Sequence, residues 1–244
     1  MTTNRSCFFR GRKAFDVFER ELLPYFARAR ASVRRLRIWC AAASSGQEPY
    51  SLAIQLRQAA HLLPGWRTDI LGTDISGEIL EKARAGLYSR FEVQHGLPIQ
   101  LLAKHFETCG EMWQISSAIR SMVGYRRFSL LDTMTALGTF DIVFCRDVLM
   151  DLDRETKADI LARIADQMTP DGALVLGAAE TVIGVSDRFS PMSNRCGFFQ
   201  KNEFLRARPS ARAGAPEPGR VGPAAARHQS AMTTQAPRAG REAC

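Results

Sequence analysis

Two acidic residues follow short apolar stretches at positions where a parallel sheet would bind a ligand. Glu48 comes eight residues after Cys40, behind a run of small residues that ends at Gly46, and Asp74 follows the apolar stretch 68–71. Small residues let a backbone pass close to a ligand, and glycine allows a positive φ. A carboxylate after a second strand can hold ribose hydroxyls through both of its oxygens. Two such acids favour a ligand with a ribose and a positive charge, which describes S-adenosyl-L-methionine better than NAD.

Each of these signals has a plainer interpretation when it is taken alone. No Gly-Lys-Ser/Thr sequence follows Gly46 and no GxGxxG pattern surrounds it, so a phosphate-binding loop is weakly supported. Gly46 also fits an ordinary tight turn between a strand and a helix, and Asp74 fits a helix N-cap or a turn. The four histidines and six cysteines show no metal-ligand spacing, so we expect no metal.

An alternation of strand-like and helix-like segments must position these acids. The pattern predicts strands at 36–40, 68–71, 140–145 and 173–176, helices at 49–63, 78–85 and 154–168, and a terminal antiparallel pair at 189 and 196–199. Pro49 suits a first helical turn, Gly86 suits the residue after a helix, and the turn signal at 170–172 separates the last helix from its strand. Such alternation indicates an α/β fold, with a parallel sheet that is covered by helices on both faces and binds its ligand at the carboxyl ends of the strands.

Two stretches do not fit this alternation. Residues 87–125 are too long for a single crossover and mix helix-like and hairpin-like segments, with hairpin strands expected at 112–115 and 119–123, so we interpret them as a small inserted β-subdomain. Residues 207–244 are rich in Arg, Pro and Ala and contain no Phe, Trp, Tyr, Ile or Leu. Such a segment cannot bury enough apolar surface to fold, so we expect a disordered C-terminal tail.

Composition and charge limit the class of protein. With 244 residues, of which 45% are hydrophobic, the chain can build one globular domain with an appendage. It has no run of 18 apolar residues and no apolar segment typical of a secretory signal, so we expect a cytoplasmic protein without membrane insertion. Residues 1–37 carry a net charge of +7 and residues 207–244 a net +4, whereas 38–206 carry −3. No aromatic residues accompany the C-terminal arginines, which weakens a nucleic-acid interpretation of that end, and an acidic protein partner or a solvated surface stays open for both basic ends.

Five segments, in order along the chain, resemble the CheR family of chemotaxis-receptor methyltransferases. They are residues 2–10 (TTNRSCFFR), 40–51 (CAAASSGQEPYS), 72–74 (GTD), 140–149 (FDIVFCRDVL) and 177–181 (GAAET). The resemblance implies a Rossmann-like methyltransferase that uses S-adenosyl-L-methionine, esterifies glutamate carboxylates in the cytoplasmic domains of chemotaxis receptors and leaves S-adenosyl-L-homocysteine. It also implies a basic N-terminal segment (1–35) that reaches the cofactor, a methyltransferase domain (36–206) and a monomer. The family usually has a helical domain before the Thr-Thr-Asn motif, so we interpret the chain as the catalytic domain without it.

The same resemblance implies a set of site residues, all of them at motif positions. For the cofactor it implies Asn4, Ser6 and Arg10 from the N-terminal segment, Glu48 at the amino group, Asp74 at the ribose, Ser129 and Leu130 beside the adenine, and Arg146 and Asp147 at the methionine end. Arg10 would also hold the acceptor carboxylate through its planar fork. Asp151 would lie near the reacting methyl group.

The chain departs from the family pattern at positions that bear on catalysis. The family usually has Asn at position 147 and Tyr at position 151, and an acid at position 47 where this chain has Gln47. A new carboxylate at 147 or 151 changes the electrostatic field that a sulfonium and an incoming anion would meet. Two alternatives therefore stay open: a cofactor-binding signalling module with impaired catalysis, and a methyltransferase with another acceptor.

Overall fold

The computed structural model describes residues 6–193 and 195–202. Its elements are, in chain order, α1 (Arg12–Val17), a π-helical turn (Phe18–Leu22), α2 (Leu23–Ala29), β1 (Arg35–Cys40), α3 (Gln47–Gln58), a 3-10 turn (Ala60–Leu62), β2 (Arg67–Asp74), α4 (Gly77–Ala85), β3 (Leu87–Ser89), α5 (Arg90–Gln94), α6 (Ile99–His105), β4 (Phe106–Cys109), β5 (Met112–Ile115), α7 (Ser117–Arg120), β6 (Val123–Arg127), a 3-10 turn (Thr135–Leu137), β7 (Phe140–Cys145), α8 (Arg154–Asp166), β8 (Met168–Leu176), β9 (Phe189–Pro191) and β10 (Phe198–Lys201).

The main sheet has the strand order β6-β2-β1-β7-β8-β10-β9. The strands from β6 to β8 are parallel, whereas β10 is antiparallel to both β8 and β9. In chain order, β2 and then β6 are added on one side of β1, and the chain then crosses to the other side of β1, where β7 and β8 are added. In open α/β sheets ligands bind in the crevice beyond the carboxyl ends of the strands at such a reversal point. Here that point lies between β1 and β7.

Alternating residues of the central strands feed two hydrophobic cores, one on each face of the sheet. Ile38, Phe144 and Val175 pack on the side of α1 and α3. Trp39, Val143 and Leu174 pack on the side of α8. Because side chains alternate between the two faces of a strand, both faces are apolar and both are covered by helices. The predicted α/β architecture, including the terminal antiparallel pair, is confirmed.

The last parallel strand is longer than the sequence predicts. Pro170, Asp171 and Gly172 were expected to form a turn, but they lie inside β8 (Met168–Leu176). The pairing with β7 shifts register between Phe140 and Ile142, and this irregularity absorbs the turn-forming residues. Proline is tolerated here because β10 pairs with β8 only from Ala173 onward, so no neighbour on that side needs the missing N–H of Pro170.

The predicted insertion is a small three-stranded sheet of order β3-β5-β4. Its strand at 112–115 is where the sequence predicts it, but residues 119–123 are not a second hairpin strand. Ser117–Arg120 is a helical turn, and Val123 begins β6, which pairs with Ile70 at the edge of the main sheet. Residues 123–125, at the end of the predicted insertion, therefore belong to the main sheet, because Val123 pairs with Ile70 of β2.

The basic N-terminal segment contains helices that cover the main sheet. Phe15, Phe18, Leu22 and Phe26 are buried against it. At the end of α2, Arg30 donates to Asp141 Oδ1 at 2.8 Å and to Asp171 Oδ2 at 2.9 Å, which ties this segment to β7 and β8. The predicted tail (207–244) and Asn4 lie outside the described residues.

Candidate active site

The loop between β1 and α3 forms the floor of the crevice. Ser44 and Gly46 both have positive φ values, +49° and +91°, which let the chain turn sharply into the helix. A Cβ at Gly46 would lie 2.6 Å from Tyr125 Oη, so the position has no room for a side chain. Tyr88, in β3 of the insertion, donates its hydroxyl to the Ser45 carbonyl at 2.7 Å. The insertion thus holds the loop in place, a role that the sequence analysis did not foresee.

Glu48, in the first turn of α3, forms an ion pair with Arg146 from the end of β7. Arg146 Nη1 lies 2.8 Å from Glu48 Oε2, and the two side chains are only 7% and 16% exposed. Burial raises the pKa of the Glu48 carboxyl above its ordinary value, and Arg146 offsets part of that rise. Arg146 also donates through Nη2 to the carbonyl of Arg10 at 2.9 Å. The pair therefore joins the first loop, the N-terminal segment and the β7 exit.

Arg10 lies at the mouth of this cluster. Its Nε is 3.3 Å from Asp147 Oδ2, and its side chain is 48% exposed. Behind it, Phe8 is buried between the rings of Tyr88 and Phe106, and the Phe9 amide donates to the Ser51 hydroxyl at 3.0 Å. These contacts anchor the backbone of the segment while the guanidinium stays accessible.

Asp74, the last residue of β2, stands on the other side of the loop. Its Oδ2 accepts from the Ser44 amide and its Oδ1 from the Ser76 amide, each at 3.0 Å. Each carboxylate oxygen can accept a further hydrogen bond, so Asp74 keeps capacity for hydroxyl groups of a ligand. Asp74 therefore orders the loop and the turn, while Ser76 and not Asp74 is the N-cap of α4, and the ribose role of Asp74 stays a prediction.

The residues predicted beside an adenine follow β6. The Phe128 amide donates to the Asp74 carbonyl at 2.9 Å, which places Ser129 and Leu130 next to the end of β2. Ser129 Oγ accepts from the Leu131 amide at 3.1 Å, and both Ser129 and Leu130 are half-buried.

Two of the predicted residues stand apart from this arrangement. The side chain of Asp151 is exposed and makes no hydrogen bond or ion pair with any described residue. Ser6 is half-buried, two residues before the anchored Phe8, and its hydroxyl has no hydrogen-bond partner among the described residues. Nothing in the structure joins either side chain to Glu48 or Asp74.

Glu180 is a site residue to which the sequence analysis assigned no role. Its carboxylate accepts backbone hydrogen bonds from Asp147, Val148, Leu149 and Gly177, at 2.7–3.0 Å. The signal that could have pointed to it was its place in the motif at 177–181.

The described chain also has clefts that lie away from these residues. Two clefts, of about 450 and 310 Å³, are lined by Arg20 and Asp171 and by Arg35 and Asp69, respectively, and none of the predicted site residues lines either. Residues 6–193 and 195–202 contain no group of three or more His, Cys, Asp or Glu side chains that could hold a metal ion. Within those ranges no helix is both long and apolar enough to cross a membrane.

Comparison with known proteins identifies the family. Residues 4–198 match the family model described as CheR methyltransferase, SAM binding domain. The chain is 39% identical over 193 residues to chemotaxis protein methyltransferase Cher2 of Pseudomonas putida, a match covering 78% of this chain and 70% of that protein. It is 40% identical over 195 residues to chemotaxis protein methyltransferase 1 of Pseudomonas aeruginosa, with the same coverage. The solved structure of TrmN from Thermus thermophilus aligns with a TM-score of 0.42 at 14% identity, over 73% of this chain and 48% of that one, a likeness too distant to bear on function.

Proposed function

This chain belongs to the CheR methyltransferase family, and from that premise we propose that it transfers the methyl group of S-adenosyl-L-methionine to glutamate carboxylates of chemotaxis receptors, forming glutamyl methyl esters. One observation carries the proposal. Glu48, Asp74 and Arg10, which are far apart in sequence, converge on the crevice at the carboxyl ends of β1, β2 and β7.

The residues in the crevice fit the cofactor. The Ser44 hydroxyl is buried, and no described residue forms a hydrogen bond with it. The Ser44 hydroxyl lies beside Asp74, because the Ser44 amide donates a hydrogen bond to the Asp74 carboxylate. A buried hydroxyl without a hydrogen bond destabilises the fold, and a polar group of a ligand at this place would supply the missing bond. In the proposed complex Asp74 binds the ribose, Glu48 binds the amino group, and Ser129 and Leu130 flank the adenine. Arg146 and Asp147 line the methionine end, and Ser6 and Arg10, together with Asn4 from outside the described residues, reach the cofactor from the N-terminal segment.

The proposed reaction demands little acid–base chemistry from the protein. Bound S-adenosyl-L-methionine supplies a methyl group on a positively charged sulfur, and S-adenosyl-L-homocysteine is the product. A glutamate side chain has a pKa of about 4.3 and is already ionised at neutral pH, so no general base is needed. Arg10 can instead hold one carboxylate of the acceptor and orient its attacking oxygen. The Glu48–Arg146 pair is mostly buried, so its charges would lie largely out of contact with water in the proposed complex.

The partner and setting follow from this chemistry. We place the enzyme in the cytoplasm as a monomer, acting on the cytoplasmic domains of methyl-accepting receptors. The basic segment 1–37 would attract the acidic surface that a glutamate-bearing acceptor presents. Neither nucleic acid nor membrane insertion forms part of the proposal.

Labelling with tritiated S-adenosyl-L-methionine tests the proposal. The wild-type chain and receptor signalling domains should yield label that mild base releases as methanol, which is diagnostic of carboxyl methyl esters. Arg10→Ala should lower the rate strongly, whereas Arg12→Ala, which removes one exposed charge of the basic segment two positions further on, should lower it far less. Base-resistant label would redirect the function to another acceptor group, and cofactor binding without any transfer would favour the impaired signalling module.

A further inference from the structure

One carboxylate joins two neighbouring loops at the edge of the crevice. Glu180 Oε2 accepts from the amides of Asp147 and Gly177, both at 2.8 Å. Its Oε1 accepts from the amides of Val148 and Leu149, at 3.0 and 2.7 Å. A carboxylate has about four acceptor sites, so these four donors occupy the group fully. Glu180 is therefore a structural anion that leaves no capacity for substrate.

The loop that Glu180 holds is in an unfavourable backbone conformation. Asp147 has a φ of +58°, a left-handed value that side-chain-bearing residues seldom adopt and that costs them free energy. Successive amides around a left-handed residue form a concave anion-binding nest. Here the anion filling the nest is the protein's own Glu180, whose hydrogen bonds offset the cost of the left-handed turn.

The second loop is shaped around the same carboxylate. A Cβ on Gly177 would lie 2.8 Å from Glu180 Oε2 and would clash with Asp147 Oδ1. The φ of Gly177 is not positive, so the requirement for glycine is steric. Gly177 also closes the turn, because its carbonyl accepts from the Glu180 amide at 3.0 Å. The exits of β7 and β8 are thereby fixed to each other.

The turn at 146–147 directs two side chains of the site. Arg146 points to Glu48 and Asp147 points to Arg10, so the direction of both depends on the backbone that Glu180 holds. We infer that Glu180 is a positioning residue for methyl transfer, which sets the left-handed turn at Asp147 and, through the hydrogen bond from Arg146 Nη2 to the Arg10 carbonyl, the placement of Arg10 at the acceptor. The inference rests on the proposed function of Arg10.

Amide hydrogen exchange tests the clamp without reference to catalysis. In the wild type the amides of residues 147–149 and 177 should be protected. Glu180→Gln keeps the shape but points its amide NH2 at two of the donors, so protection there should fall by about tenfold or more, the scale of a hydrogen bond to a charged group. Glu155→Gln, an exposed change in the first turn of α8, is the matched control and should leave these amides as they are. Unchanged protection in Glu180→Gln would overturn the clamp even if the enzyme proves active.

Kinetics then tests the positioning role. Glu180→Gln should lower kcat for receptor methylation by about tenfold while the melting temperature stays close to that of Glu155→Gln, because the substitution keeps the shape of the side chain and Glu180 belongs to neither core. In a double-mutant cycle with Arg10→Ala the two losses should be strongly non-additive, since Glu180 acts through the placement of Arg10. Additive losses would mean a general structural role and would overturn the inference. A wild type that transfers no methyl group would instead refute the proposed function and leave the exchange result standing.

Discussion

The ion pair between Arg10 and Asp147 makes a prediction that is particular to this chain. If Arg10 holds the acceptor carboxylate, Asp147 competes with that carboxylate and repels it. Asp147→Asn removes the charge but preserves the turn, because asparagine tolerates the left-handed conformation of this position at least as well as aspartate. The substitution should therefore favour the acceptor without disturbing the loop.

The size of the effect follows from distance and exposure. Two like charges about 6 Å apart on opposite sides of a guanidinium repel by roughly 0.7 kcal/mol in water and about 2.8 kcal/mol at an effective dielectric constant of 20. Arg10 is 48% exposed and Asp147 25% exposed, so solvent screening places the value near the lower limit, at about 1 kcal/mol. We expect kcat/KM for the receptor domain to rise about fivefold in Asp147→Asn, through KM.

The assay is methyl transfer at several receptor concentrations, in low and in high salt. The gain should shrink as salt rises, because charges this exposed are screened within about 10 Å at 0.1 M ionic strength. Asp187→Asn removes an exposed charge from the loop after β8 and should show little gain, which separates a local from a bulk charge effect. An unchanged or lower kcat/KM in Asp147→Asn, with cofactor affinity retained, would refute the competition for Arg10.

Four further outcomes are expected. Asp74→Ala should weaken S-adenosyl-L-methionine binding by about 1–3 kcal/mol in calorimetry, and an unchanged affinity would contradict the ribose role. Cofactor affinity should decline as pH falls through the raised pKa of Glu48, at a higher pH than for an ordinary glutamate, and Glu48→Gln should bind weakly without that pH dependence. Asp151→Tyr should increase methyl transfer, and the absence of a gain in a variant that still binds cofactor would remove Asp151 from the site. Arg30→Met should destabilise the fold by about 3 kcal/mol in denaturant unfolding, because it strands two mostly buried carboxylates. Burial raises the pKa of Asp171, but the hydrogen bond and the charge of Arg30 have the larger effect and lower that pKa below its ordinary value. The stabilisation of the fold by this ion pair should therefore be present at neutral pH and lost as pH falls through the lowered pKa of Asp171.

Local sequence patterns were sufficient for most of the fold. The strand at 140–145 was predicted with the bounds of β7, because a short run rich in Phe, Ile and Val is typical of a buried strand. The longer β8 was missed, since the Pro-Asp-Gly signal for a turn is local whereas the register shift that absorbs it depends on the neighbouring strand. The prediction of a hairpin strand at 119–123 was also wrong, because strand pairing again depends on a neighbour that is distant in sequence. Val123 is apolar in either setting, and only its pairing with Ile70 decides which sheet it joins.

By itself the sequence determined the alternation of strands and helices in the central sheet, the sharp loop at Gly46, the family, and the positions of Glu48 at a helix start and Asp74 at a strand end. These features depend on residue type and short-range spacing, which fix backbone conformation and the periodicity of burial. Only the tertiary structure decided that Arg146 pairs with Glu48 across 98 positions, that Tyr88 of the insertion holds the first loop, and that Glu180 gathers four amides from two loops. Those contacts depend on which strands are neighbours in the sheet and on the left-handed conformation of Asp147. The spacing of residue types along the sequence predicts neither of these features.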